Sequence, residues 1–213
     1  MKVAFFSESP ADQAALAVFT EGLLGAAPEL IDRQLEGHGV TGVMSALDGV
    51  YRGIHYQSDA DALVVVVDCD ETELHSAAHD QPGASSPTCR FCKLRDIVTK
   101  ARSQVQPRQG RPPLKCAIGL AVPAIEAWYL VGRNHQVGEA AWIAGCNSNT
   151  RPFTKQKLKL EVYGTARPSL EKETECAIRE ARRIIADISR IEAAFPVSFG
   201  LMAKEIRSWA PQK

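Results

Sequence analysis

The run Ala62-Leu63-Val64-Val65-Val66-Val67 constrains the fold more than any other stretch of the chain. It is uncharged and β-branched, so it reads as a strand covered on both faces, the kind that parallel sheets bury between layers of helices. Lys2 to Phe6, ended by Ser7, and Leu114 to Val122 are further short apolar runs of strand character. Helical signals lie between them. Pro10 suits a first helical turn, Ala14, Ala15, Val18, Phe19, Leu23 and Leu24 recur at spacings of three and four, and Gly25 and Pro28 stop the pattern. Val40 to Ile54 places Val43, Leu47, Val50 and Ile54 on one face. A third helix is predicted from Cys89 to Val105, and Pro123 opens a fourth through Ile125, Glu126, Trp128 and Tyr129. A weaker strand is expected around Glu29 to Leu35. Strands alternating with helices imply an α/β fold with about four strands, mainly parallel, joined by right-handed crossovers.

Beyond about residue 135 the strand signals stop. The remainder reads as helical and basic: a segment from Phe153 to Val162 carrying Lys155, Lys157 and Lys159, a long helix from about Ser169 to Ala194, and a short tail helix. The expected organisation is a core over 1–135, with an insertion at about 71–92, followed by a helical basic extension over 136–213. The 213 residues fit one domain with an appendage. The formal net charge is zero, but it hides a division. Through Asp80 there are three cations, Lys2, Arg33 and Arg52, against fourteen carboxylates, giving 3 − 14 = −11, and the rest of the chain carries 22 − 11 = +11. Such a chain either brings a metal cation to its first part and phosphate to its second, or has two solvated surfaces that attract each other. No apolar run approaches the roughly 18 residues of a membrane span, so a soluble, cytoplasmic protein without membrane contact is expected.

In an open parallel sheet, functional groups gather where strands end at their carboxyl edge. Glu8 follows the first strand by two residues, and Asp68 and Asp70 follow the most buried one. Three carboxylates on one rim, with no Lys or Arg close by in sequence, are expected to repel one another and raise their pKa values unless a cation sits among them. Hard oxygen ligands of this kind suit Mg²⁺ or Mn²⁺, which polarises a phosphate during its transfer or hydrolysis.

These residues also carry a resemblance. Glu8-Ser9-Pro10-Ala11-Asp12 resembles the Glu-Gly-x-x-Asp segment of Toprim domains, and Asp68-Cys69-Asp70 resembles their Asp-x-Asp motif. Ile125-Glu126-Ala127-Trp128-Tyr129-Leu130 is similar to the Ile-Glu-Ala-Trp motif of small bacterial Toprim-like proteins, the DUF4276 group. The resemblance covers about residues 1–132. It implies a Toprim-like fold and a Mg²⁺-dependent nuclease or related phosphoryl-transfer enzyme acting on DNA or RNA, in a phage-defence setting with an ABC-type or AAA-type ATPase partner. It casts Glu8 as general acid/base and Asp68 and Asp70 as metal ligands, with Glu8 also on the metal rim, and it favours a site role for Glu126. Ser9 stands where the family has glycine, which bears on how tightly the turn after Glu8 is aimed. The alternative is a non-catalytic interaction subunit of an ATPase complex that binds through Trp128, Trp142 or the long helix. Asp68-Cys69-Asp70-Glu71-Thr72 also satisfies the Asp-x-Asp-x-Thr motif of haloacid-dehalogenase-type phosphatases, but at the end of the third strand instead of the first.

Two further groups stand out. His75 and His79, four apart and expected on one helix face, precede Cys89-x-x-Cys92, together a ligand set that zinc takes tetrahedrally. The other reading is two surface histidines and two half-buried thiols. Arg151, Lys155, Lys157 and Lys159 lie beside Phe153 and Tyr163, as a groove for a nucleic-acid backbone or as a solvated helical face. Cys69, Cys116 and Cys176 read as small core residues. A homo-oligomer is left open.

Overall fold

The computed structural model describes residues 1–31, 35, 37–108 and 110–210. In chain order the elements are β1 (Lys2–Phe6), α1 (Pro10–Leu24), β2 (Glu29–Leu30), α2 (Gly39–Gln57), β3 (Ala62–Asp68), α3 (Arg90–Gln104), β4 (Lys115–Ala121), α4 (Ile125–Tyr129), α5 (Glu139–Asn147), α6 (Lys155–Tyr163), α7 (Leu170–Ile185), α8 (Ile188–Ala194) and α9 (Ser198–Arg207). The four strands form one parallel sheet in the order β2-β1-β3-β4. The expected α/β architecture, with a four-stranded parallel sheet flanked by helices and a helical C-terminal part, is therefore the one found.

The valine run explains the order. All seven residues of β3 are buried, which requires a neighbour on each side and cover on both faces; each of its leucine and valine side chains contributes about 1.5–3 kcal/mol by leaving water. β1 pairs with it on one side, with Phe5 opposite Val64, and β4 on the other, with Val65 opposite Ile118. The connection from β1 to β2 steps one way along the sheet, and those from β2 to β3 and β3 to β4 step the other. Right-handed crossovers therefore send α1 to one face and α2 and α3 to the other. The packing agrees: α2 and α3 lie on each other and on β3 and β4, while α9 covers β4 and touches α1, and α7 packs on α1.

Ser9 starts α1 by accepting the Asp12 N–H on its hydroxyl, with Pro10 in the first turn. The helix presents Phe19 to a cluster of rings, Trp128 and Tyr129 from α4 and Phe199 from α9, at centroid separations of 6.2, 6.5 and 5.4 Å. Trp128 and Trp142 are both buried, so each belongs to the interior and neither is offered to a partner.

Two elements depart from expectation. The weak strand shrinks to Glu29–Leu30, and residues 32–34 of the expected stretch lie outside the described ones. The long helix is two, α7 and α8, broken at Asp187, whose backbone (φ −143°, ψ 67°) is not helical. Asp187 accepts the Ser189 hydroxyl at 2.7 Å, a local side-chain bond of the sort that competes with helix continuation.

Helix α7 approaches α1 closely at Gly22, where a Cβ would stand 2.7 Å from Ile185 Cγ2 and 2.9 Å from its Cβ. Those atoms lie near the Ile185 backbone and cannot swing away. Gly22→Ala gains about 1 kcal/mol of helix propensity but loses about 1–3 kcal/mol to overpacking. Denaturant unfolding is expected to show a net loss of up to about 2 kcal/mol; a stabilised variant would contradict this packing.

Candidate functional site

The sheet order reverses at β1, and the crevice of an open α/β sheet lies outside the strand ends at such a point. Here that is the gap between the carboxyl ends of β1 and β3. The Asp68 N–H donates to Glu8 Oε1 at 2.8 Å, which ties the two strand ends together through the Glu8 side chain. Gly37 brings the chain leading into α2 over this edge: a Cβ there would stand 2.7 Å from the Ser7 carbonyl oxygen, so only glycine fits. The loop after β3 is anchored to the end of β4, where Cys69 N–H donates to the Ala121 carbonyl at 2.7 Å and Asp70 N–H to the Pro123 carbonyl at 2.8 Å. Asp70 sits in the left-handed region at φ 48°, which aspartate tolerates better than most residues. The Ile125 N–H at the start of α4 donates to Asp68 Oδ1 at 3.0 Å, which sets the neighbouring Glu126 beside the same edge.

Five carboxylates meet electrostatically at this rim. Glu126 is buried, 3% exposed. Its Oε1 accepts the Tyr163 hydroxyl at 3.3 Å and lies 3.7 Å from Lys159 Nζ, while its Oε2 has no hydrogen-bond partner. Burial first, then the Asp68 charge, pushes the Glu126 pKa up to about 7. Burial and Asp68 also raise Glu8, and burial outweighs Lys155 to raise Asp68. Asp12, in the first turn of α1, is pushed well above the carboxylate range by burial and then by Asp68 and Glu126. Asp70 goes the other way: burial opposes its charge, but the Arg90 hydrogen bond and the Lys155 charge win and hold it low. One rim thus holds both proton-retaining and ionised carboxyls, the division that acid/base chemistry uses.

The sequence expectation of carboxylates without a nearby Lys or Arg is corrected here. Arg90 Nη1, from the first turn of α3, donates to the Asp68 carbonyl at 2.6 Å and to Asp70 Oδ2 at 2.7 Å. Lys155 Nζ, from α6, donates to Asp68 Oδ2 at 2.5 Å and reaches Asp70 Oδ1 at 3.5 Å. Both cations come from far along the chain, which is why local sequence did not place them. The oxygen-only donors Glu8, Asp68 and Asp70 match a hard divalent cation chemically. Among the described residues, however, these carboxylates do not draw together as a tight ligand group. What bridges the two aspartates is the Lys155 ammonium.

The other basic residues are engaged in the same way. Arg151 pairs with Glu71 and lies over the Trp142 ring, 5.8 Å from its centroid. Lys159 lies between Glu126 and Glu173, the latter at 3.1 Å. Arg151 and Lys157 are exposed, and Lys155 and Lys159 half-buried. The α6 cations therefore turn mainly toward the protein's own acids.

His75, His79, Cys89 and Cys92 do converge: one ligand atom from each lies within 4.8 Å of the others, a group that can hold a metal ion. The helix expected to carry both histidines is absent. His75 lies in the loop after β3 and His79 in a single 3-10 turn, Ala77–Asp80; the four residues are too few for a helix to repay its nucleation. Cys89 caps α3 and Cys92 lies in its first turn, as the sequence indicated. Cys69 and Cys176 are buried and Cys116 partly so, which fits core roles, whereas Cys146 is exposed.

Three participants were given no role at the rim from the sequence: Asp12, quoted only within the Glu8 to Asp12 segment, Arg90, and Tyr163, quoted only beside the lysines. Asp12 had a usable signal, since it lies four residues after Glu8, on the same side of the turn that opens α1. Arg90 and Tyr163 had none, because each reaches the rim from a different helix.

No family model, no curated protein and no solved structure matches the chain. No helix among the described residues is long and apolar enough to cross a membrane.

Proposed function

We propose that the chain is a Mg²⁺- or Mn²⁺-dependent phosphoryl-transfer enzyme, a Toprim-like nuclease acting on DNA or RNA together with an ABC-type or AAA-type ATPase. The observation that carries the reading is the placement of Glu8, Asp68, Asp70 and Glu126 along one rim at the strand-order reversal, with pKa values pushed apart. Glu8, Asp68 and Asp70 would hold the divalent ion, which when bound supplies a Lewis acid to the phosphate. Glu8, raised by burial, holds or takes the proton at its Oε2, because Oε1 is engaged by the Asp68 N–H. Glu126 keeps a proton near neutral pH and donates or accepts within the buried side of the rim. Lys155, once released from Asp68, carries a full positive charge at the rim to meet a phosphate oxygen.

The test is incubation of the full chain with DNA and with RNA in Mg²⁺ or Mn²⁺, beside Asp68→Asn and Asp70→Asn variants and a chelated control. Cleavage that needs the ion and is lost in both variants is expected; equal cleavage by the variants would sink the reading.

A second reading is favoured by the Lys155 bridge: the rim neutralises itself, as in a non-catalytic subunit that keeps the fold and binds the ATPase. Titration calorimetry separates the two. Mg²⁺ or Mn²⁺ binding that strengthens in Lys155→Met supports the enzyme, and no binding in either protein supports the subunit. For the His75, His79, Cys89 and Cys92 group we infer zinc, because two thiolates with two imidazoles are its ligand set.

A further inference from the structure

We propose that this zinc site is a built site with its own outer layer: both imidazoles ligate through Nδ1, and Glu73 and Asp80 orient them from behind. The proposal rests on the zinc reading and adds which atoms bind and what holds them.

Two distances inside the group, both from His75 Nδ1, are close to those of a coordination shell. Zinc bonds of about 2.3 Å to sulfur and about 2.0–2.1 Å to nitrogen, at the tetrahedral angle, set sulfur and nitrogen about 3.6 Å apart. His75 Nδ1 lies 3.5 Å from Cys92 Sγ and 3.9 Å from Cys89 Sγ. The His75 side chain is 2% exposed, and its ring rests against Phe91 with centroids 4.4 Å apart. The Nε2 on the far side of that ring is buried and lies at ion-pair distance from Asp80, 3.2 Å from its Oδ1, without making a formed hydrogen bond. His79 repeats the arrangement: Nε2 lies 3.3 Å from Glu73 Oε1, and Nδ1 is buried with no hydrogen-bond partner. A buried imidazole nitrogen without a partner is costly, and the group it shares with two thiols supplies the one partner that all four residues can have in common.

Outer carboxylates are what metal-bound histidines commonly carry, fixing ring and tautomer. Here each is itself held. Glu73 accepts the hydroxyls of Ser86 and Thr88, and Asp80 is paired with Arg95. The loop between the histidines and the cysteines is thereby drawn onto α3 by polar contacts in place of apolar ones. Arg90 sits between the two sulfur ligands, so the ion that fixes Cys89 and Cys92 also fixes the guanidinium on Asp70.

The experiment strips the full chain with a chelator under reducing conditions and titrates it with Co²⁺, then measures Zn²⁺ affinity by competition with a chromophoric chelator. One equivalent of Co²⁺, with tetrahedral d–d bands and thiolate-to-cobalt charge transfer, is expected in the parent chain and in Glu73→Gln. Zinc affinity is expected to fall about 10–100-fold in Glu73→Gln and in Asp80→Asn. Cys92→Ser should lose part of the charge-transfer band; if that variant fails to fold, Glu73→Gln decides, because it keeps all four ligands. Absence of the charge-transfer band in the parent refutes zinc itself. A normal cobalt spectrum with unchanged zinc affinity in Glu73→Gln and Asp80→Asn refutes the outer layer and leaves the zinc reading standing.

Discussion

Glu8→Gln is expected to cut metal-dependent cleavage of nucleic acid by about 10²–10⁴-fold, the usual worth of a positioned acid or base, while leaving the fold intact. The fold survives because the glutamine carbonyl can accept the Asp68 N–H that Glu8 Oε1 now accepts, so the tie between β1 and β3 is kept. What is lost is the titratable oxygen. Burial, then Asp68, raises the Glu8 pKa, so the group is poised to exchange a proton closer to neutrality than an ordinary glutamate. Single-turnover cleavage by the two proteins, read beside their thermal unfolding, checks both halves of this expectation. Activity within threefold of the parent, in a variant of equal stability, removes Glu8 from the proton path.

The second large effect is on stability and has a defined direction with pH. In the metal-free protein Glu126 titrates at about 7 against an ordinary 4.5, with burial as the main cause. Between those two values the folded form holds a proton that the unfolded chain has released. Stability therefore falls as pH rises through that window, and the loss is complete above about pH 7. A difference of this size corresponds to about 3 kcal/mol. Glu126→Gln keeps the shape and an acceptor for the Tyr163 hydroxyl but cannot ionise. It is expected to match the parent near pH 4.5 and to exceed it by about 2–3 kcal/mol at pH 8, in denaturant unfolding at the two pH values. A difference that stays constant across pH would show that Glu126 acts through packing and not through its charge.

The parts of the fold legible in the sequence were those encoded locally. The valine run, the Pro10 start of α1 and the apolar stretch before Pro123 each carry their own signal, and together they dictate a parallel sheet. The carboxylate rim followed from them, because strand ends in such a sheet share an edge. The ring cluster of Phe19, Trp128, Tyr129 and Phe199 was legible only as apolar positions, since its pairing is set by packing across three helices. The break at Asp187 was hidden because Ile184, Ile185, Ile188 and Ile191 keep the apolar spacing on both sides of it. The cations of the rim could not be read at all. Lys155 reaches Asp68 from 87 residues away, and its place in an alternating lysine segment looked the same as that of Lys157, which stays exposed. The histidine and cysteine set was found by ligand type, although the helix assumed for its histidines does not form.

The Lys155 bridge also orders events in time. A growing chain completes β1 and β3, and with them the acidic edge, well before α6 exists, because Lys155 follows Asp70 by 85 residues. Until that helix is made, Glu8, Asp12, Asp68 and Asp70 have Arg90 as their one cation among the rim contacts described. Docking of α6 is the step that brings a second cation to this edge, at Asp68 and Asp70. Assembly of the C-terminal helices is thus a charge-neutralising event, slowed by salt in a way that closure of the apolar sheet is not.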